Sequence, residues 1–342
     1  MRLENANNTI ETLMINNTMV NNSQEIAHKF NDYFSTVADT ITNNTKTNND
    51  GLKNDISYSS YLINNPNATC PNINWKHAST YEISNIIKSL KTTNSCGYDE
   101  IPVKIIKLST PYIISRLTYI CNKSLSTSVF PERLKYALIR PVHKKGDTHL
   151  ITNYRPISLL TSFSKIFEKL IFTRLYKHLL TNRILAKGQY GFRNNSSTEN
   201  AAYDVINEII QVMNHKRSIG LFCDLEKAFD CVNHEILQKK LDFYGIKGKF
   251  LDLIQSFIQG RYQKIFINKN SACDDTSSEW TIIMHGSILG PLLFFVCVND
   301  LPLLANDKLK IFLSADDTSA IVTCPNQAEL KFALQKTLAD IN

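Results

Sequence analysis

The sequence lacks any apolar run long enough to cross a bilayer. Its longest such stretch, residues 288–298, contains Gly290 and Pro291 and is too short to span the hydrocarbon core. The first residues of the chain carry no apolar segment, so no signal peptide is predicted. We therefore expect an intracellular protein that is not secreted and has no membrane partner, with nucleus and cytoplasm both left open.

Zinc-binding cysteine spacing and internal repeats are absent as well. The eight cysteines are scattered along the chain, and no two of them form a Cys-x-x-Cys pair. This pattern argues against a zinc site and predicts free thiols, mostly in the core, in a reducing compartment.

The bulk composition is that of a packed protein with a modest basic excess. A length of 342 residues allows one large or two ordinary domains, and 43% hydrophobic residues are enough for a core. The formal charge of +7 fits a polyanionic partner such as nucleic acid, although many proteins without such a partner are equally basic.

Hydrophobic periodicity outlines several elements. Residues 1–75 are rich in Asn, Thr and Ser and are expected to be loosely ordered, apart from one helix capped by Ser23. The apolar stripe of that helix is predicted to pack on another part of the chain. Further helices are predicted at 158–180, 199–215 and 233–244, and strands at 136–142 and 261–268.

Acidic residues in two separated segments carry most of the functional signal. Residues 221–230 and 311–322 each contain a short apolar run, typical of a buried strand, that ends in a carboxylate. In the second segment, Asp316 and Asp317 lie between two apolar runs, as at the tip of a hairpin. Carboxylates at strand ends suit Mg²⁺, and two such ions can stabilise both the attacking and the leaving oxygen of a phosphoryl transfer.

Each acidic segment alone has an ordinary explanation. Asp224 could be a helix N-cap, because residues 225–232 look helical, and an isolated Asp-Asp pair is most often a solvated turn. Asp224 and Asp316 are 92 residues apart, so a shared site would exist only in the folded domain.

A series of motifs in fixed order decides between these alternatives. The blocks lie at 97–102, 130–135, 144–147, 153–160, 189–193, 197–198, 222–230, 286–294, 299–302 and 315–318. Together they resemble the reverse transcriptase of non-LTR retrotransposons, in particular the jockey-like elements, from about residue 94 to the C-terminus.

The resemblance implies an α+β fold, the fingers and palm of a right-hand polymerase, with helices on a split βαβ-like antiparallel palm sheet. Residues 1–93 are expected to form an Asn-rich, partly disordered extension, and residues 94–342 the reverse transcriptase domain. Fingers would cover about 130–217 and palm about 218–342, with the chain truncated before the thumb.

The resemblance also assigns the metal site. Asp224, Asp316 and Asp317 are the implied catalytic residues, and Asp224, Leu225 and Asp316 the implied ligands of two Mg²⁺ ions, for which Mn²⁺ is an expected substitute. Asp230 is expected to be a structural hydrogen-bonding group rather than a ligand.

Substrate contacts follow from the same resemblance, with RNA template, DNA primer and deoxynucleoside triphosphates as partners. The implied nucleotide-binding residues are Lys144, Lys145, Arg155, Phe229, Gly286 and Ser287, and the implied template-side residues are Gln189, Gly191, Phe192 and Arg193. Ordinary alternatives are a core position for Phe229, a solvated basic turn for the lysines and a helix-linking loop at 189–193. The oligomeric state is left open.

Three departures from the family pattern favour a rival interpretation, a truncated, inactive nucleic-acid-binding remnant. The loop before Gly286 is shortened, with His285 where Gln is expected. Ser314 replaces an aromatic residue and is expected to weaken the packing of its strand. The sequence also stops shortly after the Asp-Asp hairpin. A two-metal nuclease is a third possibility, but it would need further carboxylates.

Overall fold

The computed structural model describes residues 10–15, 17–48, 70–191, 193, 196–213, 217–224, 227–267, 278–280 and 287–341. Its strands are β1 (Leu13–Ile15), β2 (Thr18–Val20), β3 (Tyr136–His143), β4 (Tyr154–Leu160), β5 (Arg217–Asp224), β6 (Arg261–Ile265), β7 (Ser278–Trp280), β8 (Leu309–Ser314) and β9 (Asp317–Cys324). Its α-helices are α1 (Ser23–Asn48), α2 (Thr80–Ser89), α3 (Val103–Thr127), α4 (Ser162–Thr181), α5 (Thr198–Met213), α6 (His234–Phe243), α7 (Lys249–Ile258), α8 (Gly290–Val298) and α9 (Gln327–Ile341).

The strands form three sheets. β1 and β2 make a small hairpin, a four-stranded sheet has the order β4-β3-β6-β7, and a three-stranded sheet has the order β5-β9-β8. Every described strand pair is antiparallel except β3 with β6. The mixed α/β content and antiparallel sheets expected from the resemblance are therefore confirmed.

Helix α1 packs on one face of the four-stranded sheet. Phe30 contacts Tyr154 edge-on, with ring centroids 5.1 Å apart, and both lie in a buried cluster with Ile139 and Ile265. The predicted apolar stripe thus has its partner in this sheet. The predicted cap is wrong by one residue, because the Asn22 side chain, not that of Ser23, accepts the backbone N–H groups of Gln24 and Glu25.

The largest core is helical and includes residues on both sides of position 93. Ile83 and Ile87 of α2 share it with Leu170 of α4, and α2 also contacts α3. The boundary expected near residue 93 therefore does not coincide with a break in packing.

One predicted helix differs from the structure in where it begins. The helix expected at 158–180 begins only at Ser162, because residues up to Leu160 pair with β3 and alternate between buried and half-buried positions. The strand predicted at 136–142 is confirmed as β3.

Within the described residues, every helix is too short or too polar to span a bilayer.

The three-stranded sheet buries one face against α9. Leu309, Ile311 and Leu313 point into this core with Leu330 of α9, whereas Ser314 lies on the alternate, half-exposed face. Ser314 therefore occupies no position in this core, and its effect on the packing of the strand stays a prediction.

Candidate active site

Asp224 and Asp317 lie side by side on neighbouring antiparallel strands. Asp224 is the last residue of β5, Asp317 is the first residue of β9, and the two are direct partners in the strand register. Directly opposed residues of such a pair carry their side chains on the same face, with Cβ atoms about 5 Å apart. Both carboxylates are exposed, so this face presents a paired acidic site to solvent.

Asp316 lies one residue before β9, in the turn that joins β8 to β9. The turn consists of Ala315 and Asp316, and Ala315 has the left-handed φ of 61°. The structure thus places Asp317, rather than Asp316, directly opposite Asp224. A left-handed backbone costs a non-glycine residue roughly 1 kcal/mol or more, so surrounding contacts must hold the turn in place.

The segment at 188–191 supplies those contacts. Leu313 donates its N–H to the carbonyl of Gly188, and Tyr190 donates its N–H to the carbonyl of Leu313, both over 2.8 Å. Gly191 then passes so close to the turn that a Cβ atom there would lie 2.3 Å from the Ala315 nitrogen. The glycine is therefore required by its close contact with the β8–β9 turn, a reason that the sequence alone does not reveal.

The three carboxylates influence one another electrostatically. Partial burial, followed by the negative charges of Asp316 and Asp224, raises the pKa of Asp317. Mutual repulsion of this kind disfavours the ionised cluster and is relieved by a bound cation. A cavity of about 460 Å³ lies against Asp224 and Asp317, between the sheet and α5.

Asp230 lies in the turn that follows the Asp224 segment and is buried. Burial raises its pKa to about 7, although the charge of Lys227 opposes this effect. The expectation that residues 225–232 could form a helix capped by Asp224 finds no support, because residues 227–230 form a turn and the next helix begins at His234, capped by Asn233. Leu225 lies outside the described residues.

The raised pKa of Asp230 predicts a pH-dependent stability. Between its ordinary value of 3.8 and about 7, the folded state holds a proton that the unfolded state has lost, so stability should fall as pH rises and then level off. Asp230→Asn should remove a slope of at most about 1.4 kcal/mol per pH unit. Urea unfolding at several pH values measures this, with exposed Asp252→Asn as control. Equal slopes for parent and Asp230→Asn would contradict the assignment.

Phe229 is half-buried and packs on α8. Its ring centroid lies 4.6 Å from that of Phe294, and the side chain borders the main helical core. The ring is therefore anchored on one side and accessible on the other, a position that suits both a core residue and the wall of a site.

The predicted phosphate-binding residues lie on the β3–β4 hairpin. Lys144 and Lys145 are exposed in its turn, and Arg155 is exposed on β4. The turn is fixed by its backbone, since Lys144 donates its N–H to the Asn153 carbonyl over 2.8 Å. Asp224 instead ends β5 in the three-stranded sheet, so the fold places these cations on a separate element.

The predicted template-side residues flank a second cavity, of about 310 Å³. Gln189 is buried and accepts the N–H of Gly191 over 3.0 Å, while Arg193 donates to the carbonyl of Ala186 over 3.0 Å. Both side chains are thus engaged with the chain itself. Phe192 lies outside the described residues.

The Ser287 hydroxyl forms its hydrogen bonds within the chain. The residue is buried, and the hydroxyl donates to Glu168 over 2.6 Å while accepting the N–H groups of Leu289 and Gly290. It therefore acts as an internal cap at the start of α8. Gly286 and the shortened loop at 284–285 lie outside the described residues.

Glu168 is the residue that sequence reasoning missed. Its carboxylate is fully buried and accepts hydrogen bonds from Ser164 and from the segment that begins at Ser287. The available signal was a carboxylate at helical spacing from Ser164 and Ile171, on the apolar side of a helix.

Comparisons with known proteins agree with the site. A sequence model of the family described as reverse transcriptase (RNA-dependent DNA polymerase) matches residues 142–342, more than half of the chain. The chain is 29% identical over 267 residues to the RNA-directed DNA polymerase from mobile element jockey of Drosophila melanogaster, covering 75% of this chain and 29% of that protein.

Two further relatives extend this likeness. The protein of the same name from Drosophila funebris is 29% identical over 265 residues, covering 75% of this chain and 29% of the relative. A retrovirus-related Pol polyprotein from type-1 retrotransposable element R1 of Bradysia coprophila is 24% identical over 253 residues, covering 73% and 24% respectively. The chain thus spans less than a third of the length of these curated relatives.

Proposed function

The chain belongs to the reverse transcriptase family, and on that premise we propose that it is the catalytic part of a non-LTR, jockey-like RNA-directed DNA polymerase. The primer 3′-hydroxyl oxygen attacks the α-phosphorus of a deoxynucleoside triphosphate, and the bond to the bridging oxygen breaks to release pyrophosphate. The observation that carries this proposal is the cross-strand pairing of Asp224 with Asp317, with Asp316 in the adjoining turn.

The donor set suits a divalent cation. Mg²⁺ prefers oxygen ligands and is usually held by one or two carboxylates plus substrate phosphates. Two exposed carboxylates in register, with a third in the turn, match that demand, and the raised pKa of Asp317 reflects the negative charge gathered there. No group of three or more His, Cys, Asp or Glu residues that could hold a metal ion occurs among the described residues. The proposal therefore requires substrate oxygens to complete the shell.

We assign Asp224 and Asp316 as metal ligands, together with Leu225, and Asp317 as the carboxylate that maintains the charge of the site. Two Mg²⁺ ions, replaceable by Mn²⁺, would stabilise the charge that develops on the attacking and leaving oxygens. The side chains of the protein hold, orient and select the substrates.

The remaining assignments concern substrates. Lys144 or Lys145 and Arg155 would hold the triphosphate, since exposed cations on a short hairpin can reach phosphate oxygens and the planar guanidinium donates two parallel bonds. Gly286 and Ser287 would lie along the nascent base pair. The template-side set would be Gln189, Gly191, Phe192 and Arg193.

We infer that the two larger sheets belong to separate fingers and palm regions. We assign the four-stranded sheet with α1 to the fingers, at about 130–217 plus the strands that return to it, and the three-stranded sheet with α9 to the palm. Packing of α1 on the four-stranded sheet supports the assignment of this helix to the same unit as the sheet.

Sugar selection provides a test of the proposal. Phe229→Ala should admit ribonucleotides, because a rigid ring beside the sugar leaves no room for a 2′-hydroxyl. We expect the deoxy-to-ribo preference to fall roughly tenfold or more. The measurement is single-nucleotide extension of a DNA primer on an RNA template with matched deoxy- and ribonucleotides.

Fully buried Phe250 of the same core provides the control. Phe250→Ala should lower stability without changing the deoxy-to-ribo preference. A Phe229→Ala variant that discriminates like the parent would return this residue to a purely structural role.

A further inference from the structure

Glu168 joins α4 to the segment that begins α8. One carboxylate oxygen, Oε1, accepts the Ser164 hydroxyl over 3.1 Å. The other, Oε2, accepts the Ser287 hydroxyl over 2.6 Å and the N–H groups of Ile288 and Leu289 over 2.7 and 3.3 Å. Since the two segments are more than a hundred residues apart in sequence, one side chain fixes a long-range junction.

The junction defines the start of α8. Backbone N–H groups at a helix N-terminus lack partners within the helix and carry partial positive charge. Here Glu168 accepts the N–H groups of the N-cap residue Leu289 and of Ile288 just before it, and the Ser287 hydroxyl accepts those of Leu289 and Gly290. The path of residues 287–290 is thus set by the Glu168 carboxylate and the Ser287 hydroxyl.

Glu168 places a carboxyl group in a fully buried position. A buried carboxylate is costly unless it is paired, and replacement of buried ion pairs by apolar residues is often neutral or stabilising. Arg261 is also buried, and burial lowers the pKa of its guanidinium, an effect that the nearby Glu168 opposes. A role in positioning residues 287–290 explains the presence of a carboxyl group at this buried position better than a contribution to stability alone.

Helix α8 connects this junction to Phe229. Phe294 lies on α8 one turn beyond Gly290 and contacts Phe229 with ring centroids 4.6 Å apart. Under the proposed function, residues around Ser287 and Phe229 form two walls of the nucleotide site. Both walls are therefore attached to the helix whose start Glu168 fixes.

We propose that Glu168 is a positioning residue for nucleotide selection, which holds the segment 287–290 and, through α8, the ring of Phe229. The effect on nucleotide selection rests on the proposed function. The anchoring of residues 287–290 by Glu168 does not depend on it. Removing the charge should loosen the nucleotide site without touching the metal-binding carboxylates.

The opposite end of α8 provides a matched control. Lys240 is also buried, and it donates to the Cys297 carbonyl and to Asp300, the latter over 2.5 Å. Lys240→Met therefore removes a buried charge from the C-terminal end of the same helix. It should destabilise the protein without opening the segment at Ser287.

The experiment compares parent, Glu168→Gln, Ser287→Ala and Lys240→Met. Amide hydrogen exchange is measured at Ile288 and Leu289, and steady-state extension gives KM, kcat and the deoxy-to-ribo preference. Glu168→Gln should speed exchange at these two amides and raise the KM for deoxynucleotide, each about tenfold, with a smaller change in kcat. It should also lower the sugar preference. Ser287→Ala, which keeps the charge, should show the same pattern more weakly.

Each outcome bears on one claim. If Glu168→Gln leaves both amides as protected as in the parent, or matches Lys240→Met in every readout, the positioning role is overturned. If exchange changes locally but KM and sugar preference do not, Glu168 anchors the segment without serving selection, and the proposal fails. If the parent adds no nucleotide, the proposed function fails, and the exchange data still decide the anchoring.

Discussion

Asp224→Asn should abolish nucleotide addition while leaving the fold intact. The carboxylate is exposed at the end of β5, so the amide can occupy the same space without a packing cost. Loss of one negative charge even relieves the repulsion that raises the pKa of Asp317. The variant should therefore unfold at the parent's temperature or slightly above it when no divalent cation is present.

The expected loss of activity is large because the charge acts on the reacting atoms. Removing a metal ligand withdraws several kcal/mol of transition-state stabilisation, which corresponds to roughly a thousandfold or more in rate. Single-nucleotide extension in Mg²⁺ measures the loss, and Asp307→Asn, at an exposed position before β8, controls for the charge change. A rate of nucleotide addition by Asp224→Asn within tenfold of the parent's rate would show that Asp224 is not a metal ligand.

Gly191→Ala should impair catalysis through the turn that carries Asp316. The added Cβ would lie 2.3 Å from the Ala315 nitrogen and 2.9 Å from its Cα, and backbone atoms cannot yield as a flexible side chain can. Either the turn or the 188–191 segment must move. A displacement on the order of 1 Å at a reacting centre can cost about a hundredfold in rate, and we expect a loss of that size in kcat.

The matched control is Gly220→Ala on β5. There the new Cβ would meet the ring of Phe222 at 3.2 Å, and that side chain is exposed and can swing aside. This variant should retain kcat within a few-fold, which separates the effect of the turn from that of an added methyl group. Parental activity in Gly191→Ala would show that the contact with Ala315 does not position the carboxylates.

Local sequence patterns predicted the strands that carry the acidic residues. The apolar run before Asp224 and the runs around Asp316 and Asp317 form β5, β8 and β9, since short apolar segments that end in polar residues suit buried strands. The apolar pattern of each strand does not specify the register in which β5 and β9 pair, however. Pairing of Asp224 with Asp317 depends on how two strands far apart in sequence align, which no local period specifies.

Contacts over long sequence separation account for most of what was missed. Gly191 against Ala315 and Glu168 against Ser287 are each set by tertiary packing, so neither residue reveals its reason in its own neighbourhood. The misplaced helix start near residue 158 has a similar cause, because pairing with β3 overrides the helical period. Asn22 and Ser23 are both good capping residues, and only the hydrogen bonds distinguish them.

In the N-terminal extension, the sequence predicted a helix but not the part of the chain on which that helix packs. The spacing of Ile26, Phe30 and Phe34 predicted an amphipathic helix that needs a partner, and all three are buried. The partner itself, the sheet that includes Tyr154, became visible only in the fold. A helix expected to belong to a loosely ordered extension is thereby part of the element that we assign to the fingers.

We propose that this chain adds deoxynucleotides to a primer as directed by an RNA template. The most direct measurement is extension of a DNA primer on a homopolymer RNA template by the unmodified chain in excess, with each deoxynucleotide supplied separately in Mg²⁺. The account predicts incorporation of the complementary nucleotide alone, lost on chelation of the metal and in Asp224→Asn. Tight binding of the primer–template with no incorporation in Mg²⁺ or Mn²⁺ would contradict it and identify the chain as a nucleic-acid-binding remnant.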